Sequence, residues 1–217
     1  MLKMTGRNGF SLRLVAVVVG FASFIVLQTG RAQTIIDEWA SVKAPPPPEL
    51  KPVTIDKKTT ALLMLDFNQQ TCTQRRPRCT ASIPRVKPLL AAARAAGMPV
   101  VFTLGGGGKR ADIAEELAPR SDEPSMLAGV DKFVNTDLEK ILKDKGITTV
   151  IVVGTAAHGA VLYTASSAAI RGMKVILPLD GISADNTYTE QYFAWHMANV
   201  PVIAPAMTLT RLDDVKF

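Results

Sequence analysis

Four stretches of this 217-residue chain end an apolar run in residues able to move a proton or hold a charge. They are Asp66 after 61–65, Gly105 to Gly108 after 99–104, Gly154-Thr-Ala-Ala-His158-Gly-Ala160 after 148–153, and Asp180 after 174–179. A carboxyl directly behind an apolar run is poorly solvated, which raises its pKa and suits it to general acid–base work. The same residue can instead cap a turn. Asp66 is the first candidate catalytic residue.

Gly105 to Gly108, with Lys109 and Arg110 behind, can cradle an anion with backbone N–H groups. No Gly-Lys-Ser/Thr ending follows, so a nucleotide P-loop is not expected and a flexible lid is the simpler reading. The small residues 154–160 allow a tight turn into a helix whose first N–H groups can stabilise negative charge. Gly159 and Ala160 are therefore candidate substrate-binding positions. His158 either transfers protons and binds, or hydrogen-bonds the turn. His196, beside Trp195, is expected to pack.

These segments need a scaffold that gathers them. Runs at 61–65, 99–104, 148–153 and 174–179 read as buried strands, with a last strand near Val202. Between them Ile83, Val86, Leu89, Leu90 and Ala93 recur at helical spacing, ending at Gly97. Thr136-Asp-Leu-Glu139 reads as a capping box opening a helix that ends at Gly146. Helices are also predicted over 159–172 and 189–198. Strands apolar on both faces and separated by helices imply a three-layer α/β domain with a mostly parallel sheet. Ligands of such sheets bind beyond the carboxyl ends of the strands, where strand order reverses. All four segments lie at such ends.

Composition narrows the rest. At 47 % hydrophobic and 20 % charged the chain is not disordered, and its length suits one domain. Two cysteines and two histidines without finger spacing exclude a zinc module, and no metal or cofactor is expected. Lys3, Arg7 and Arg13, the apolar stretch 14–27 and Gly30-Arg31-Ala32 have the layout of a cleaved signal peptide over 1–32. The apolar stretch is short for a permanent anchor. Its removal lowers the net charge from +6 to +2 and leaves no basic stripe, so neither nucleic acid nor a stable membrane anchor is expected.

Export to the periplasm or beyond favours a disulfide between Cys72 and Cys79. A reactive thiol depressed by Arg75, Arg76 and Arg78, or two unpaired cysteines, are the alternatives. Paired, the loop would hold its arginines near the Asp66 strand end, offering positive charge to an acidic ligand. Residues 33–59, with four prolines at 45–48, read as an extended arm before a domain at 60–217. Ile35, Ile36 and Trp39 are apolar enough to dock, for example on a neighbouring subunit.

Three segments together resemble the isochorismatase-like (cysteine hydrolase) superfamily. They are Ala61-Leu-Leu-Met-Leu-Asp66-Phe-Asn68, Phe133-Val-Asn-Thr136-Asp-Leu, and Ile151-Val-Val-Gly154-Thr-Ala-Ala-His158-Gly-Ala160-Val-Leu-Tyr-Thr164. The match continues through Arg171-Gly172 to Asp180 and covers about 60–205. The resemblance implies a six-stranded parallel sheet, a small-molecule substrate and a tendency to homo-oligomers. It also implies a catalytic Asp, Lys and Cys, and Asn68 joins the substrate-binding candidates.

The Asp falls on Asp66. The Cys position is Ala160, whose methyl cannot attack a carbonyl. Isochorismatases proper also lack that Cys; they protonate a vinyl ether with the Asp and add water. The Lys position, six before Phe133, is Leu127, and Lys132 is the nearest substitute. The expectation is an exported hydrolase of a small, acidic molecule using Asp66, Lys132 and His158 without a cysteine. A catalytically silent binding protein on the same fold is the alternative.

Overall fold

Strands buried on both faces set the architecture, seen in a computed structural model that describes residues 33–73 and 76–217. The expected signal segment 1–32 and Arg75 lie outside the described residues. Contacts divide the chain into two units, 1–44 and 45–217. In the first, α1 (Ile35–Glu38) starts at Thr34, whose N–H and hydroxyl both donate to the Asp37 carboxylate at 2.9 and 2.8 Å.

The second unit opens with β1 (Val53–Thr54), which pairs in parallel with β9 (Val215–Lys216) near the chain end. The segment after the prolines thus adds a strand to the body of the domain. Then follow β2 (Thr60–Leu65), α2 (Pro77–Ala95), β3 (Val100–Leu104), β4 (Ser125–Leu127), α3 (Leu138–Asp144) and β5 (Thr149–Thr155). After them come α4 (Leu162–Ile170), β6 (Lys174–Pro178), β7 (Ile182–Ser183), α5 (Thr187–Asn199) and β8 (Met207–Thr210).

Side-chain alternation explains the layers. Along β2, Ala61, Leu63 and Leu65 enter one core with Val150, Val152 and Val175. Residues of α3, α4 and α5 cover that core, including Leu138, Ala165 and Phe193. Leu62 and Met64 enter the other core with Ile151 and Val153, under Val86, Leu90 and Ala93 of α2. Both faces of each central strand are dry, as a doubly covered parallel sheet requires.

The sheet has seven strands, six of them in the order β4-β3-β2-β5-β6-β8 with every pairing parallel; β7 pairs with the end of β5. The chain moves from β2 toward β4 and then from β5 toward β8, so the order reverses between β2 and β5. The three-layer α/β expectation stands.

Two local expectations do not. The last strand of the seven-stranded sheet is β8, while Val202 sits in a turn at φ 71° and is 86 % exposed. Pro201 and Pro205 flank that turn and cannot donate to a ladder. No capping box opens α3 either. Its N-cap is Asp137, and the Thr136 hydroxyl donates to the Lys132 carbonyl at 2.5 Å. Glu139 pairs with Lys143 and Arg171 instead.

Gly154 lets β5 close on β2. Its φ is +135°, and a Cβ there would lie 2.1 Å from the Leu65 carbonyl oxygen. We expect Gly154→Ala to cost roughly 4 kcal/mol or more, or to abolish folding. Gly146→Ala, at φ +66° with open space around it, should cost about 1 kcal/mol in urea unfolding.

Candidate active site

Asp66 leaves the end of β2 with φ at 59°, a left-handed conformation that turns the chain off the sheet. Its main chain is held on both sides: the N–H donates to the Thr103 carbonyl at 3.1 Å, and the carbonyl accepts from the Thr71 hydroxyl at 2.6 Å. The side chain is buried. Oδ1 accepts from the Thr103 hydroxyl at 2.8 Å, and Oδ2 accepts from Lys132 Nζ at 2.7 Å. Burial pushes the carboxyl above the usual range, while the Lys132 charge and the hydrogen bonds from Lys132 and Thr103 pull it back.

Lys132 is 1 % exposed, and its ammonium also donates to the Gly129 carbonyl at 2.8 Å. Two charges removed from water persist only when paired and hydrogen-bonded in this way. Position 127, six before Phe133, is not the source of the ammonium. Leu127 ends the edge strand β4, 58 % exposed. The lysine reaches Asp66 from the loop that follows instead.

The glycine run is packed at both ends. A Cβ on Gly105 would meet Asp66 Oδ2 at 2.8 Å, and one on Gly108 would meet Asn68 Nδ2 at 2.3 Å. Asn68 is fully buried and its amide is fully engaged. Nδ2 donates to the Gly105 carbonyl and to Gln70, and Oδ1 accepts from Gly105 N–H and the Thr71 hydroxyl. Asn68 therefore ties the Asp66 loop to the glycine run.

Beyond β5 the Thr155–Ala156 peptide is cis, and residues Ala157–Val161 form a π-type turn leading into α4. Leu65 and Gly154 are register partners, so this turn and Asp66 occupy neighbouring strand ends. Ala160 is buried. The Gly159 N–H is not free for a ligand as expected, because it donates to the Ala156 carbonyl at 2.9 Å. His158 is exposed, with no hydrogen bond to its ring among the described residues. His196 packs beside Tyr192, ring centroids 5.6 Å apart. Asp180 is not part of the site: its Oδ1 accepts from Leu212 N–H at 2.9 Å and anchors the chain end.

Cys72 and Cys79 form a disulfide. Two arginines of that loop, Arg76 and Arg78, are already paired within the chain. Arg78 makes a bidentate pair with Glu190, and Arg76 lies 3.1 Å from Asp185. The open space near the ion pair is a cavity of about 580 Å³ with Gly106, Gly107, Leu127, Gly129, Val130 and Val134 in its wall. Gly129 connects this cavity to the Lys132 ammonium.

The family model described as the isochorismatase domain matches residues 60–211. The chain belongs to the isochorismatase family. A secreted isochorismatase effector of Verticillium dahliae is 34 % identical over 113 residues, or 47 % of this chain and 60 % of that protein. The chain thus spans about three-fifths of the length of that curated relative.

An isochorismatase family protein from Desulfovibrio vulgaris superposes with a TM-score of 0.65 at 22 % identity. The match covers 72 % of this chain and 95 % of that one. N-carbamoylsarcosine amidase from Thermoplasma acidophilum gives 0.63 at 20 %, over 71 % and 97 %. At such identities these two structures speak for the isochorismatase fold alone.

Sequence reasoning missed Thr103, although it is the one polar residue in the strand Val-Val-Phe-Thr-Leu. The site also yields a pH prediction. Where burial raises a carboxyl, the unfolded chain releases its proton at lower pH than the folded one. Stability then falls as pH rises from the unfolded to the folded value. Lys132→Met removes the opposing ammonium and widens that interval. We expect a loss of roughly 3–5 kcal/mol near neutrality that shrinks toward about pH 4, read by urea unfolding at several pH values.

Proposed function

We propose that this isochorismatase-family chain is an exported hydrolase of a small molecule, in which Asp66 moves the proton and no cysteine attacks. The observation that carries this reading is the buried Asp66–Lys132 pair, intact in a chain that has Ala160 where the resemblance places the cysteine. A methyl group forms no acyl intermediate, so the chemistry left to the site is proton transfer with addition of water. A carboxyl raised by burial can give its proton to an electron-rich double bond, as in a vinyl ether. The Lys132 ammonium then stabilises the carboxylate left behind, water adds to the resulting cation as its proton returns to Asp66, and the hemiketal so formed breaks its C–O bond to release a carbonyl compound and an alcohol.

Export draws support from the Cys72–Cys79 disulfide and from the secreted relative. The periplasm is one such destination. Arg76 and Arg78 already hold carboxylates and lend no support to the acidic substrate. His158, exposed on the turn, is proposed as a contact to substrate at the rim. A silent binding protein remains the second reading, and Ala160 favours it.

Two variants separate these readings in a small-molecule hydrolysis screen. Asp66→Asn should lower turnover by about 10²-fold or more while binding survives within a few-fold. A wild type that hydrolyses nothing, with Asp66→Asn binding as tightly, would leave only the binder. Ala160→Cys should confer thiol-dependent amide hydrolysis without any change at Leu127, since Lys132 already supplies the ammonium.

A further inference from the structure

The unusual feature of the site is a lysine that reaches its aspartate from directly before Phe133, five residues later than the resemblance implies. A lysine stem is long and flexible, so its ammonium arrives at one place only if its main chain is fixed. Here it is fixed at both ends. The Lys132 N–H donates to the Thr164 hydroxyl at 3.2 Å, in a fully buried contact, and the Lys132 carbonyl accepts from the Thr136 hydroxyl at 2.5 Å.

The flanking residues are tied to the same helix. Asp131 accepts from the Ser167 hydroxyl with one oxygen and from the Phe133 N–H with the other, at 2.9 Å for the latter. The Arg171 guanidinium lies over the Phe133 ring, 4.6 Å from its centroid, and pairs with Glu139 at 2.8 Å. Hydrogen bonds from Arg171 and Lys143 hold the Glu139 carboxyl down to about 2. That pair therefore stays charged across the range in which a raised carboxyl titrates.

We propose that Thr164 and Thr136 are the positioning residues of this site: their hydroxyls seat the Lys132 main chain so that its ammonium meets Asp66 from the loop. Thr164 lies one helical turn after Ala160. The helix that follows the family's nucleophile position thus also fixes the lysine. The inference rests on reading Asp66 and Lys132 as the working pair, but its test needs no substrate.

The test is a ¹³C NMR titration of the Asp66 carboxyl, assigned with Asp66→Asn, in the full chain carrying Thr164→Ser, Thr164→Val or no change. Thr164→Ser keeps the hydroxyl and should titrate as the parent does. Thr164→Val leaves the Lys132 N–H without its acceptor, and the midpoint of Asp66 should rise by about one unit or more as the ammonium moves away. A folded Thr164→Val protein with an unmoved midpoint overturns the proposal.

If Thr164→Val does not fold, Thr136→Val removes the other end of the seat from a half-buried position. An unmoved Asp66 there overturns the proposal equally. A shifted midpoint in a protein that hydrolyses nothing refutes the proposed activity and leaves the seat standing. Hydrolysis with an unmoved midpoint does the reverse.

Discussion

Asp66 and Lys132 are two charges placed where water cannot reach them, and the surrounding structure is organised around keeping them together. Removing a carboxylate and an ammonium from water costs several kcal/mol each, recovered only with close contact and satisfied hydrogen bonds. Thr103 and Gly129 complete the partners of the pair. The left-handed turn at Asp66 aims the carboxylate, and the glycine at 105 leaves room for it. Strand order reverses between β5 and β2, the strand whose end carries Asp66.

A buried carboxylate can keep its cation partner while the position that delivers it changes. The family's lysine position is occupied by Leu127 on an edge strand, yet the ammonium is present. What a proton-transfer site requires is a cation about 3 Å from the carboxylate, not a particular backbone origin. The loop origin asks more of the scaffold, because a loop lysine must be held by something other than a ladder. Helix α4 serves that purpose.

Much of this was legible in the sequence. Dry strands at 61–65 and 148–153 announced the layers, because alternation on both faces admits few other architectures. Asp66 was legible for the same reason: a carboxyl behind five apolar residues has little water. The partner of Asp66 was less so. Spacing from Phe133 pointed to Leu127, and only three-dimensional reach shows that an adjacent residue points inward. The capping box failed because α3 starts one residue later, with Asp137 as its N-cap, so the Thr136 hydroxyl accepts from the Leu138 N–H while donating to the Lys132 carbonyl. The glycine run misled for a related reason. Its freedom is absorbed by side chains from Asp66 and Asn68 that fill the missing Cβ positions.

Those filled positions limit how the site can diversify. On the side of Gly105, Gly108 and Gly154, any side chain larger than hydrogen collides with Asp66, Asn68 or the Leu65 carbonyl, so drift is blocked there. Across the cavity, Leu127, Val130 and Val134 are more than half exposed and hold no part of the ion pair. Variation at those three positions reshapes the cavity wall without touching the Asp66–Lys132 pair, so relatives of this chain can differ in what the cavity admits while keeping the pair.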